Sequence, residues 1–316
     1  MSSEWILRPA GRPLFIFAHQ DDETALAGIA HHVVGDDERG AFVWWTNGDG
    51  PAPARGIAPA TYAVTRIAES AAALQSLGAS TRRKVDLETS EIENYRRIVQ
   101  IADGGAARQS AVQYFTAEAE RVELAIRAAA ADRVFLLAWQ GGHFEHDLLH
   151  VMTVRAVRKL RRETGHPIPI VQCPAYEFAS LCALRFKPWF KGDRRRYALD
   201  ADDAAAKRAT FVAHASQAAV FASFRRVIGV SGALGALRGR RVSFDDYLNV
   251  EEFGVVDPDF DYTRSTHWPD LLNYAFDDYQ GIAIRFASML RPVVRGLLAD
   301  SAELAEAGPQ REPRKG

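Results

Sequence analysis

The chain has 316 residues, 47% of them apolar and 25% charged, with a formal net charge of −1. This length and mix exclude wholesale disorder, and the charge balance gives no global field for nucleic acid or acidic lipid. Two cysteines, Cys173 and Cys182, are too few for a disulfide framework and lack Cys-x-x-Cys spacing, so both read as ordinary thiols.

The N-terminus has no basic segment leading into an apolar stretch of signal-peptide length, and no run of about eighteen apolar residues occurs. The expectation is a cytoplasmic protein without a membrane span. Basic clusters at Lys191 with Arg194–Arg196, and at Arg238, Arg240 and Arg241, read as solvated loops.

Leu14–Ala18 is apolar without alternation, the pattern of a strand covered on both faces. Glu23–Val34 reads as a helix, Ala41–Thr46 as a second strand, and Tyr62–Leu77 as a strong helix stopped by Gly78. "KVDLE" is a candidate third strand, Tyr95–Gln109 gives little, and "DGGAARQS" reads as a mobile connection. Phe115–Ala131 predicts an alanine-rich helix, Arg133–Ala138 a buried strand, "WQGGHFEH" a loop, Asp147–Thr164 a helix and Ile168–Cys173 a strand. Beyond these, helices are expected over Ala201 to about Val227 and Trp268–Leu298, with a frayed tail. The alternation argues for a single α/β domain over 1–316: a Rossmann-like, mostly parallel sheet with helices on both faces in a core of about 12–175. An extension of about 176–300 shapes the substrate cleft, and 301–316 forms a flexible tail.

In open parallel sheets ligands sit beyond the carboxyl ends of the strands. Two places there carry metal-capable residues: His19, Asp21, Asp22 and Glu23 after the first strand, and His143, Glu145, His146 and His150 after Arg133–Ala138. His19, Asp22 and one histidine of the second loop would supply a three-ligand set with an open position for water, leaving Asp21 as general base. Acids after a strand are also common helix N-caps, and His150, one turn after His146, reads as packing or support. His31 and His32 read as solvated or partly packed.

"AHQDDE" (Ala18–Glu23) resembles the Ala-His-Pro-Asp-Asp-Glu signature of the PIG-L, or LmbE-like, family of zinc-dependent N-deacetylases, and "GHFEH" (Gly142–His146) resembles its His-Pro-Asp-His motif. "RIAESAAALQSLG" (Arg66–Gly78) is similar to its Arg-x-x-Glu helix, and "KRATFVAHASQ" (Lys207–Gln217) to its Lys…His-x-Ser-Gln helix. The resemblance implies Zn2+, with Fe2+ or another divalent ion as a substitute, on His19, Asp22 and His146. It implies Asp21 as general base and His143 as an oxyanion-stabilising imidazolium hydrogen-bonded to Glu145. It also points to Arg66 and Asp49 for sugar binding, Arg66 otherwise reading as an ion-pair partner of Glu69. Lys207, His214 and Gln217 read equally as substrate contacts or as helix packing. Gln20, Phe144 and Glu145 depart from the family pattern, and Gly141 stands where some members carry a tyrosine. The expected substrate is an N-acetylglucosamine-type sugar in a glycoconjugate, polysaccharide precursor or natural product. The runner-up is an amidase releasing a larger acyl group. A nucleotide-binding module fails because no Gly-x-Gly-x-x-Gly follows a strand and opens a helix. A non-catalytic relative is disfavoured by the intact ligands and base.

Overall fold

Buried strands joined by helical crossovers fix a layered architecture, because each right-handed crossover returns the chain to the same sheet. The computed structural model describes residues 2–34, 39–177, 182–187, 189–236, 243–257, 259–264, 273–274 and 277–306. In chain order come α1 (Ser3–Leu7), β1 (Pro13–Phe17), α2 (Ala27–Val34), β2 (Ala41–Thr46), α3 (Pro59–Ser76), β3 (Lys84–Thr89), α4 (Glu91–Asp103), α5 (Gly105–Ala129), β4 (Arg133–Leu137), α6 (Phe144–Thr164) and β5 (Ile170–Cys173). Then come β6 (Tyr176–Glu177), β7 (Cys182–Ala183), β8 (Arg195–Ala198), α7 (Ala201–Ala213), α8 (Ala218–Ala236), α9 (Phe244–Leu248), β9 (Val250–Val255), β10 (Asp278–Tyr279), β11 (Ile282–Ala283) and α10 (Arg291–Glu306).

The main sheet runs β3-β2-β1-β4-β5-β9-β8, parallel through β5 and antiparallel at β9 and β8. Both faces are covered. Phe15, Phe17, Phe42, Trp44 and Phe135 form one core with Leu26, Ile29, Val33 and Leu74 of the segment after β1, α2 and α3. Leu14, Ile16, Val43, Trp45, Val134 and Leu136 form the other with Phe115, Val122, Leu148, Met152 and Val294 of α5, α6 and α10. Burial on alternate faces explains why these strands read as unbroken apolar runs.

Five expectations change. The uninformative Tyr95–Gln109 stretch lies in two helices: Ser90 caps α4 by accepting from the Glu93 amide, and Gly104, at φ 76°, breaks it from α5. Helix α6 begins at Phe144, so the second motif is a helix start rather than a loop. The long helix after residue 201 is interrupted at His214, whose imidazole turns to Glu23. Over Trp268–Leu298, residues 268–272 and 275–276 lie outside the described residues, and Asp278–Ala283 forms a hairpin instead of a helix: β10 and β11 pair across Gln280 and Gly281, at φ 53° and 82°. Of the Lys191 cluster, Arg194 and Arg196 are tied to the sheet edge, meeting Glu252 at 2.7 and 3.1 Å, while Arg238, Arg240 and Arg241 lie outside the described residues. Among the described residues no helix is long and apolar enough to cross a membrane.

His150 packs inward from α6: its Nδ1–H donates to the Leu137 carbonyl at 3.0 Å, and the Tyr262 hydroxyl donates to Nε2 at 3.1 Å. Burial lowers its pKa to about 4. An unfolded histidine titrates near 6.5, so between these values the unfolded chain binds more protons. The stabilising contribution is whole above about 6.5 and is lost as pH falls toward 4. Urea unfolding should therefore show a loss between pH 7 and 5 to which this residue contributes about 2 kcal/mol. His150→Gln should flatten that slope; an unchanged slope would reassign it.

Candidate metal centre and catalytic cleft

Strands β1 and β4 are parallel neighbours, Leu14 opposite Val134 and Phe15 opposite Phe135, so their carboxyl ends open at one edge. The order reverses here, β2 leaving on one side and β4 on the other, which is where a parallel sheet forms a crevice. The residues after β1 thereby meet the start of α6.

His19 Nδ1 lies 3.1 Å from His146 Nε2, Asp22 Oδ1 lies 3.1 Å from that same nitrogen, and Asp22 Oδ2 lies 3.6 Å from His19 Nδ1. Ligands about 2.0–2.1 Å from a tetrahedral ion stand about 3.3 Å apart. The three predicted ligands thus fit one divalent ion. Ring nitrogens of His19, His143 and His146 also lie within 4.8 Å of one another, as do ligand atoms of His19, Glu91 and Glu145.

The charges agree with this fit. Oδ2 of Asp22 accepts from the Ala18 and His19 amides at 2.9 Å each. Burial alone would raise the Asp22 pKa, but His146 and His19 hold it well below the usual carboxylate range. Burial alone would lower that of His19, yet Glu91 and Asp22 hold it well above the ordinary histidine value. Buried carboxylates thus favour positive charge at this point, from a proton or a metal.

Glu145 does not serve His143 as the resemblance implies. Its Oε2 meets His19 Nε2 at 2.8 Å, Asn94 donates to Oε1 at 2.6 Å, and His143 Nδ1 stands 4.0 Å away. Burial raises the Glu145 pKa to about 7. His143 is the N-cap of α6, its Nδ1 accepting from the Glu145 amide at 3.3 Å while Nε2 sits 3.1 Å from the Tyr95 hydroxyl. Burial, and after it the charges of His19 and His146, push its pKa well below the ordinary value. A neutral imidazole replaces the expected imidazolium, because a nitrogen accepting from an amide cannot carry a proton.

Asp21 reaches the cleft, and Arg66 donates to it through Nη2 at 2.8 Å. The Arg66–Glu69 pair is looser, at 3.8 Å. Arg66 is 3% exposed and lines the cleft, with Nε and Nη1 buried and without a hydrogen-bond partner. Asp49 is spent elsewhere: it accepts from the Ser90 hydroxyl at 2.7 Å and the Ile92 amide at 3.2 Å, fixing the start of α4. Lys207 pairs with Glu251 at 2.5 Å and His214 with Glu23, which is packing, while Gln217 lines the cleft and donates to Tyr62 at 2.8 Å. Gln20, in place of the family proline, donates to the Thr46 carbonyl at 2.5 Å and ties the loop to β2. Gly141, where some members carry tyrosine, adopts φ 75°, a conformation that favours glycine; the Asp147 carboxylate accepts its amide at 3.1 Å.

The cleft holds about 190 Å³. Several of its parts escaped the sequence reading. Glu91 lines it, with its pKa raised by burial, and Asn94 and Tyr95 stand behind it. These three share one face of α4 at i, i+3 and i+4, a polar spacing visible in "EIENY" once a helix is assigned there. Tyr176 packs edge-on to His146, ring centroids 5.5 Å apart, and with Phe221 and Phe224 lines the far wall. Asp277 accepts from Tyr95. Neither Tyr176 nor Asp277 carries a local signal, since only tertiary folding brings it near.

If Asp49 serves the helix rather than a ligand, Asp49→Ala should cost about 1 kcal/mol of unfolding free energy, as lost N-terminal caps do. KM should stay within about twofold; a large rise in KM with unchanged stability would return Asp49 to the cleft.

Comparison with known proteins agrees with the geometry. Residues 14–157 match the family profile described as PIG-L: GlcNAc-PI de-N-acetylase. No sequence relative is found among curated proteins. The fold is similar to that of the A40926 pseudoaglycone deacetylase Dbv21, with TM-score 0.54, 17% identity and coverage of 79% of this chain and 99% of that one. It is also similar to a deacetylase of the teicoplanin biosynthesis pathway, with TM-score 0.54, 14% identity and coverage of 77% and 97%. With its motifs, its parallel sheet and the match over residues 14–157 in accord, that segment of the chain is similar to the PIG-L family.

Proposed function

We propose that the protein is a metal-dependent hydrolase that removes the N-acetyl group from an N-acetylglucosamine-type sugar of a glycoconjugate, polysaccharide precursor or natural product. The observation that carries this reading is the convergence of His19, Asp22 and His146 at 3.1–3.6 Å beside a cleft that Asp21 also lines. His19, Asp22 and His146 would hold the ion, with zinc the best match to two imidazoles and a carboxylate, and iron a substitute. When bound, such an ion polarises the amide carbonyl and lowers the pKa of a water in the site from about 15.7 toward 7.

The chain's own groups do the rest. Asp21 takes the proton of the attacking water and returns it to the leaving amine. Arg66 fixes the direction of that carboxylate through its 2.8 Å hydrogen bond. Arg66 also lines the cleft, where its planar guanidinium suits a sugar hydroxyl. His143, a neutral imidazole whose Nε2 sits 3.1 Å from the Tyr95 hydroxyl, would offer its one N–H to the tetrahedral anion by turning it from Tyr95 toward the cleft, a role that needs a donor but no full charge.

One observation favours the second reading, release of a larger acyl group. Ala25, Pro51, Leu137, Ala175, Leu184, Val220, Phe221 and Phe224 give the cleft an apolar lining beside its charged residues. Acetyl alone would leave part of it wet, whereas each further methylene placed against it gains about 0.8 kcal/mol.

Amine release from glucosamine derivatives bearing acetyl, butanoyl and hexanoyl groups separates these readings. Asp21→Ala should keep a full equivalent of metal and lose at least about a hundredfold in kcat; His19→Ala and His146→Ala should lose the metal itself. Near-normal turnover by Asp21→Ala would remove the base, and no hydrolysis of any member by metal-loaded protein would remove the function.

A further inference from the structure

Glu145 is committed to His19, so something else must hold His143. The ring has two nitrogens and both are engaged. Because Nδ1 accepts from the Glu145 amide at 3.3 Å, the imidazole proton sits on Nε2 and points to the Tyr95 oxygen 3.1 Å away. The Tyr95 hydroxyl in turn donates to Asp277 Oδ1, and Asp277 Oδ2 accepts from the Phe144 amide at 3.1 Å. Asp277 is itself anchored, its amide donating to the Tyr274 carbonyl at 2.9 Å and its carbonyl accepting from Ile284 at 3.0 Å. Tyr95 packs edge-on against Phe144, centroids 4.8 Å apart, which fixes its ring beside His143. Tyr95 and Asp277 do not line the cleft, whereas His143 does.

We propose that Tyr95, backed by Asp277, is the positioning residue that sets the orientation of the His143 ring, whose tautomer the Glu145 amide fixes. The pair takes the place of the second motif's carboxylate, which in this chain buttresses the metal ligand His19. A side chain from α4 and one from the segment before β10 thus act on the reaction through His143. Asn94, next to Tyr95 on α4, binds Glu145 at 2.6 Å and accepts from Tyr114 at 2.9 Å, so one helical turn steadies both the ligand and the donor. For its kinetic part the inference rests on the hydrolase reading above; for its structural part it does not.

Two measurements on the zinc-loaded full chain test it. Long-range 1H–15N spectra of histidine-labelled protein, with the signal assigned by its loss in His143→Gln, should show His143 solely as the Nε2–H tautomer. In Tyr95→Phe this tautomer should persist, because the Glu145 amide fixes it, while the Nε2–H proton resonance moves upfield with the loss of its acceptor. An Nδ1–H tautomer in the wild type, or a spectrum unmoved by Tyr95→Phe, overturns the proposal, and this holds even if no tested amide is hydrolysed. Kinetically, Tyr95→Phe should lower kcat by about ten- to hundredfold, with KM within about twofold and metal content unchanged. Asp277→Asn should act in the same direction. In a His143→Gln background Tyr95→Phe should cost nothing further. An equal loss in both backgrounds would mean that Tyr95 merely supports the fold, and would overturn the assignment.

Discussion

Leu14 stands opposite Val134 in the parallel ladder of β1 and β4, and the chemistry of the molecule descends from that register. Parallel strands bring together the residues that come after them rather than the residues within them, so a loop near residue 20 and a helix start near residue 145 become neighbours. A slip of one residue would exchange the two faces of β1, sending Phe15 and Phe17 into the wrong core. The two aromatic and aliphatic cores therefore hold the distance between His19 and His146 more firmly than either loop could.

Within that frame the site is a problem in charge. Asp22, Glu91 and Glu145 are all at least 91% buried around His19, and each alone would be costly to ionise there. The imidazoles, the Arg66 guanidinium and backbone amides offset them in part, and a divalent cation would offset the remainder. The three consecutive acids after β1 have separate partners: Asp21 meets Arg66, Asp22 meets His146 and two amides, and Glu23 meets His214.

Much of this is legible in the sequence, for physical reasons. The buried strands declare themselves because burial on both faces removes the polar half of the alternation, and the ligands do so because few side chains bind a cation. Asp21 and Asp22 come after a strand end where packing would have no use for them. The hidden parts depend on distance in sequence. Tyr95 and Asp277 are 182 positions apart and meet only when α4 and the C-terminal segment fold over α6. Glu145 reads as the partner of the wrong histidine because His143 lies closer in the chain than His19, although the longer side chain reaches His19 more easily in space. Asp49 misleads similarly, since a carboxylate after a strand serves a cap as readily as a ligand.

Strand β9 reaches back across the molecule. Glu251 accepts from the Gly28 and Ile29 amides at 3.0 and 2.7 Å and pairs with Lys207. A helix adjoining the first motif is thus capped by a residue made more than two hundred positions later. During synthesis the ribosome will have released the residues after β1 and the start of α6 well before their supports emerge. The nascent chain must then carry an unfinished sheet, with the free edge of β5 awaiting β9, and Asp277 arrives later still. Such an intermediate exposes pairing-competent backbone to its neighbours, which makes the interval before β9 emerges a period of aggregation hazard.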